Sequence, residues 1–212
     1  MKKTVIKKLR KMNVCSAAVI FAKSQTSRQS AWDACERGDW MLFLLGKLSG
    51  RRGGKKHKKL VLAVCGCAEL AIKYSDKNRK VCLATIRIAQ RWVNGKATIQ
   101  QVRVAADAAY IVAYDSSDVA AHAAADAAYA VAHDSDDVAA HAAVHSAVDA
   151  SHAALAAARA AADAAHNTAR SAHDAALAAD AARAADAAAK YINMLKSCSD
   201  IVRKYYPKAP RF

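Results

Sequence analysis

Apolar and polar positions along this chain recur at helical spacing, and nowhere do they keep the strict alternation of a half-buried strand. The apolar positions from Val5 to Ala22 predict a first helix with lysines on its outer face. Ser24 to Ser27 is a polar break. Thr26 with Gln29 has capping-box spacing and is expected to start a second helix carrying Trp32 and Cys35. Gly38 suits a left-handed helix stop, and Asp39 suits the N-cap of a third helix over Trp40 to Leu48. Leu60 to Ile72, ionisable only at Glu69, is expected to be the central buried helix. After a turn at Ser75 to Asn78, Lys80 to Asn94 is amphipathic and ends at Gly95, and Thr98 with Gln101 forms a second capping box.

From Ala105 to Ala189 the pattern loses most of its large side chains: 43 of these 85 residues are alanine, and no glycine or proline lies between Lys96 and Tyr206. That composition demands helix with few interruptions. Ala105 to His122 recurs nineteen residues later as Ala124 to His141, with fifteen of eighteen positions identical. A nineteen-residue shift rotates a straight helix by about 100°, which would aim the two copies at different partners. Turns at Asp115-Ser-Ser and Asp134-Ser-Asp are therefore expected to fold the tract into antiparallel helices of about fifteen residues. Further on, His145, His152, Arg159, His166 and His173 fall at strict sevens and should share one face of longer helices. Ile192, Leu195, Cys198, Ile201 and Val202 in the segment after the tract can pack on the N-terminal helices, and Pro207 is expected to end the fold.

The fold class that follows is all-α, a multi-helix bundle with an alanine-rich, closely packed C-terminal helical array. The division expected is a basic helical region over 1–96, the array over 97–206 packed on it as one continuous domain, and a tail over 207–212. The six cysteines fit no disulfide framework and are expected to be free thiols of a reducing cytosol, in a bacterium or a phage-infected host cell. The apolar run from Val14 to Ala22 is too short to span a bilayer, so no membrane association is expected.

Charge changes the picture more than composition does. Residues 1–103 hold 24 Lys/Arg against 5 Asp/Glu, whereas residues 104–212 hold 9 against 13. Such an imbalance points to an anionic partner for the N-terminal half. Gly50 to Lys59 carries six cations among three glycines and reads as a mobile loop suited to phosphates. Arg87 and Arg91, four apart on one helix with Lys80 upstream, form a second basic row. Cys65-Gly-Cys67 and the His141/His145 pair each lack the further ligands of a metal site, so no metal or other cofactor is expected. No nucleophile–base pair, phosphate-binding glycine loop or carboxylate constellation is evident, and the chain is expected not to be an enzyme.

The segment Trp32 to Leu45, with its Arg37-Gly-Asp-Trp40 corner, together with Cys67-Ala-Glu-Leu70, Trp92-Val-Asn-Gly95 and the closing Asp200 to Pro207, resembles the immunity-protein class of bacterial polymorphic toxin systems and relatives encoded in phage genomes. Membership would imply an all-helical, non-enzymatic protein that neutralises something during microbial conflict. With the basic surface added, the leading expectation is sequestration of an anionic, nucleotide-derived signalling molecule. Arg37, Arg51, Arg52, Lys55, Lys56, Arg87 and Arg91, with Asp39 at the corner, are the candidate phosphate-side residues, and Trp40, Tyr110 and Tyr114 the candidate stacking surfaces. The alternatives are an immunity protein covering an acidic toxin surface and a sequence-independent nucleic-acid binder. A homo-oligomer is compatible with each.

Overall fold

An alanine helix occupies the middle of the bundle beside the leucine- and valine-rich one. The computed structural model describes residues 3–74, 78–116, 119–132, 145, 148–149, 152–160 and 173–211. Its helices are α1 (Lys3–Lys11), α2 (Ser16–Ser24), α3 (Arg28–Ala34), α4 (Gly38–Lys47), α5 (Lys55–Ile72), α6 (Arg79–Val93), α7 (Ile99–Ser116), α8 (Val119–Ala132) and α9 (His173–Tyr205), with further helical backbone over 152–160. Among the described residues there is no strand, and the architecture is the expected all-α multi-helix bundle. None of the described helices is long and apolar enough to cross a membrane.

On α8, Ala121 and every residue from Ala123 to Ala128 are buried, as are Ala130 and Val131, while His122 and Tyr129 are half-buried. Side chains this small let α8 lie close against α5, α6 and α7 at once. Each alanine contributes little burial, so contacts on all sides replace the few large ones of a leucine core. The expected break at Asp115-Ser-Ser is present: α7 ends at Ser116 and α8 starts at Val119. The second expected turn, at Asp134-Ser-Asp, lies outside the described residues, as do His141 and His166. His145, His152 and Arg159 are all exposed.

The C-terminal half of α9 lies on α4 and α5. Two glycines let it do so. A Cβ on Gly38 would stand 2.5 Å from the Cys198 Cβ, and one on Gly66 would stand 2.9 Å from the Ile201 Cγ2. Gly38 therefore does not stop a helix, as its sequence context suggested. It opens α4, because only a bare backbone fits under α9. The preceding helix ends instead at Ala34, whose C-cap Cys35 is extended. Leu195, Cys198 and Val202 are buried here as expected, but Ile192 is 56% exposed.

Four other local expectations are corrected. The first helix is two, because Asn13 takes a left-handed φ of 57° and breaks the backbone between α1 and α2. Ser27 rather than Thr26 caps α3, accepting from the Ser30 amide at 2.9 Å. Asp39 lies in the first turn of α4, with Arg37 at the N-cap. Pro207 ends α9 but not the packing: the Ala209 amide and the Pro207 carbonyl both bond to the Gln29 side chain. The Thr98–Gln101 capping box, by contrast, forms with both reciprocal bonds, and Gly95 closes α6 with a left-handed φ of 70°.

Candidate functional site

The densest positive charge gathers at the start of α5. Gly50 and Gly53 adopt left-handed φ values of 66° and 76°, and the Gly54 amide donates to Arg51 O, so residues 50–54 form a tight turn into the helix. His57 holds that turn to the bundle. Its ring is 2% exposed. Nε2 donates to Ala130 O of α8 at 3.0 Å, Nδ1 accepts from the Gly53 amide at 3.5 Å, and the ring meets Trp92 of α6 edge-on. The mobile loop expected over Gly50 to Lys59 is thus an ordered turn followed by helix from Lys55, fixed by the one side chain of the segment that is not a cation or a glycine.

Arg51, Lys55, Lys56 and Lys59 are exposed around this turn, with Arg52 and Lys58 half-exposed. The first turn of α5 contains no acid. Its leading amides are the orphan donors of any helix start, and the helix dipole places partial positive charge there. Lysines are disfavoured at that end by about 0.3–1 kcal/mol each, whereas an anion is welcomed by amides and lysines together.

The remaining candidates do not converge on this turn. Arg37 makes a two-pronged pair with buried Asp39, Nε to Oδ1 at 2.9 Å and Nη2 to Oδ2 at 2.6 Å, and its guanidinium lies 4.6 Å from the Trp40 ring centre. The Asp39 carboxylate holds the Arg37 proton above its ordinary range, and the corner is internally neutralised. Trp40 is half-buried against Phe21. The ten residues of α4 separate this corner from the basic turn by about 15 Å. Arg87 and Arg91 are exposed on α6 with Lys80, as their spacing required. Tyr110 is half-buried inside the α7–α8 hairpin, its ring edge-on to Tyr129, while Tyr114 is 86% exposed. The candidate residues are therefore carried on several elements: the start of α4, the turn into α5, α6 and α7.

Two groups of polar residues escaped notice in the sequence. The first is a lattice between the tract's repeats. Tyr110 donates to Asp126 and Tyr129 donates to Asp107, so the equivalent residues of the two copies exchange bonds. Asp126 also hydrogen-bonds Asp149, which burial and the Asp126 charge push up to about 7, so the two carboxyl groups come to share a proton as pH falls through neutral. The Asp-x-x-Tyr that recurs at nineteen residues was the available signal. The second is Arg203, which donates to the carbonyls of Trp32 and Cys35 and to Ser199 and Asp200. It satisfies carbonyls at the end of α3, where Trp32 in turn donates to Tyr206 O.

All six cysteines are free, Cys15 exposed and the other five buried. Burial first of all pushes the Cys35 and Cys65 thiols up, and for Cys67 the contact with Cys198 does so ahead of burial. Buried thiols of this kind are poor nucleophiles. Among the described residues no group of three or more His, Cys, Asp or Glu is placed to hold a metal ion. Two cavities stand out. One, of about 80 Å³, is apolar and lies between α1–α4 and Ala209–Pro210, with Trp32 and Trp40 in its wall. The other is a groove of about 460 Å³ between α6 and α7, with Arg91, Gln100 and Gln101 at one end. Neither is lined by Asp126 or Asp149. Compared with family models, with curated proteins and with solved structures, this chain matches none.

Proposed function

We propose that this protein is a non-enzymatic binder of phosphate-bearing polyanions, taking nucleic acid without regard to sequence. One observation carries the reading: Arg51, Lys55, Lys56 and Lys59 stand exposed around the amide end of α5, on a turn held rigid by His57. A cluster of cations at a helix start lowers folding stability in isolation and gains from a phosphate. Further exposed cations, Lys3, Lys7, Lys8, Arg10 and Lys11 on α1 and Lys80, Arg87 and Arg91 on α6, lie spread over open surface. That spread suits a polymer better than a small enclosed ligand.

A second reading, sequestration of a nucleotide-derived signal, is favoured by the amides at the start of α5, which suit one compact phosphate group. The two are separated by one pair of measurements. The first is the affinity for a fluorescent 30-base-pair duplex across a salt series. The reading expects a steep negative slope of log K on log salt, and a loss of more than tenfold, with a shallower slope, in Arg51→Glu/Lys55→Glu/Lys56→Glu. The second is mass spectrometry of small molecules released when the extract-purified protein is denatured. Salt-independent binding, or none, sinks the polyanion reading, and a recovered nucleotide together with no duplex binding replaces it with sequestration.

A further inference from the structure

α7 carries two apolar stripes on nearly opposite sides. Val102, Ala106, Ala109 and Ala113 are buried toward the core. Val104, Ala108 and Ile111, spaced four and three apart, form the other stripe, and Val104 and Ile111 are 59% and 63% exposed. At 100° per residue, Val104 and Ala106 differ by about 200° around the helix, so the second stripe cannot serve the core that the first one serves. A helix in a soluble bundle ordinarily has one such face.

The second stripe is not isolated. α6 runs antiparallel beside α7, joined by the 94–98 turn and by the Thr85 hydroxyl donating to Ala105 O at 3.1 Å. Val81, Ala84 and Ile88 of α6 face Val104 and Ala108 across the groove of about 460 Å³. Val81, Ala84, Ile88, Val104, Ala105 and Ala108 make the lining mostly apolar, with Thr85, Gln100 and Gln101 its neutral polar residues. Arg91 lines the groove, Lys80 and Arg87 are exposed elsewhere on α6, and no Asp or Glu is among the lining residues.

We infer that the α6–α7 groove is a docking site for an acidic amphipathic helix of a partner protein. Two antiparallel helices with a trough between them are the shape that a third helix fills by ridges into grooves. From Val104 to Ile111 the stripe extends about 10 Å, matching anchors at i, i+4 and i+7 on two turns of the incoming helix. The cations of α6 call for Glu or Asp beside those anchors. A second copy docking through the same groove is disfavoured, because it would bring Lys80, Arg87 and Arg91 against their own counterparts. A phosphate backbone gains nothing from a floor of valine and isoleucine. None of residues 50–59 lines the groove, and its chemistry differs from that of the basic turn at the start of α5.

The test uses the full chain and a labelled 18-residue peptide helix with leucines at i, i+4 and i+7 and glutamates on both flanks. Two controls accompany it, a scrambled peptide of equal composition and one with lysine flanks. Fluorescence anisotropy should give saturable binding at least tenfold tighter for the acidic helix than for either control. Ile111→Asp should lower that affinity at least tenfold, and Arg87→Glu/Arg91→Glu should lower it and reduce its salt dependence. Arg51→Glu/Lys55→Glu/Lys56→Glu should leave it unchanged, which separates failure of this site from failure of the polyanion surface. Since Ile111 is exposed, thermal unfolding followed by circular dichroism should be the same for Ile111→Asp and the parent. Equal binding of the scrambled peptide, or indifference to Ile111→Asp, overturns the proposal. So does a dimer in sedimentation equilibrium that Ile111→Asp dissolves, or a loss of duplex binding in that variant.

Discussion

The Tyr110 hydroxyl donates to Asp126 across the α7–α8 hairpin at 2.5 Å, and the residues nineteen further on and nineteen back repeat the exchange, Tyr129 donating to Asp107 at 2.9 Å. The tract's duplication is therefore read out as a local two-fold arrangement in which each copy supplies a donor to the other. Because the residue numbers in both pairs sum to the same value, the two helices must run antiparallel about the link between Ser116 and Val119. In a helix pair whose commonest residue is alanine, these bonds set the register that bulky side chains set elsewhere.

The two exchanges differ in burial, so their removal should differ in effect. Asp126 is 4% exposed, whereas Asp107 is exposed. Tyr110→Phe is expected to destabilise the fold by about 1–2 kcal/mol, and Asp126→Ala by about 2–3 kcal/mol because it strands both Tyr110 and Asp149. Tyr129→Phe should lose less than half of the Tyr110→Phe effect. Urea unfolding of the three variants checks the order, and equal losses for the two tyrosines would contradict it.

The shared proton makes a pH prediction. Asp149 is pushed up to about 7 by burial and by Asp126, so the folded chain holds this proton more tightly than the unfolded chain does. Its contribution to stability is complete below about pH 4 and is lost as pH rises through about 7. Asp149→Asn removes that loss. Between pH 5 and pH 8 the Tm of the parent should fall relative to that of Asp149→Asn, by on the order of 5 °C. Parallel Tm–pH curves for the two proteins would refute the shared-proton assignment.

Gly38 should tolerate no side chain. A Cβ there would stand 2.5 Å from the Cys198 Cβ and 2.8 Å from backbone of α9, which has no flexible end to move. Gly38→Ala is expected to destabilise by about 2–3 kcal/mol despite the better helix propensity of alanine. Gly66→Ala meets only the end of the Ile201 side chain at 2.9 Å, and its loss should be smaller. Thermal unfolding of both variants measures the ranking.

Arg203 should resist replacement by lysine. Its two terminal nitrogens reach the Trp32 and Cys35 carbonyls, Ser199 and Asp200 together. A single ammonium cannot serve that many acceptors at once. Arg203→Lys and Arg203→Ala are both expected to destabilise by about 2–3 kcal/mol. They should also accelerate hydrogen exchange in α3 more than in α8, and full rescue by lysine would show that charge alone matters.

Much of the fold could be read from local chemistry. The all-helical class follows from alanine excess and the absence of glycine and proline between Lys96 and Tyr206. The α7 start follows from a capping box, and the α7–α8 turn follows from an Asp-Ser-Ser that would otherwise misdirect the second repeat by about 100°. The exposed row of Lys80, Arg87 and Arg91 follows from spacing alone. What misled was residue type without context: Gly38 looked like a stop and His57 like one more member of a mobile basic run.

By itself, the sequence determined where helices form and which of their faces are cationic, because propensity, capping and charge act within a few residues. The tertiary structure alone decided which surfaces those faces share. His57 pins the basic turn only because Ala130 and Trp92, 73 and 35 residues away, come to meet it. Gly38 is a point of helix contact only because α9 returns from the far end of the chain. Arg37, Arg51 and Arg87 sit on three different elements, the start of α4, the turn before α5 and the middle of α6, and only the packing of those elements decides how far apart they stand. Such contacts depend on which small side chains let which helix axes approach, and that is a property of pairs of elements distant in the chain.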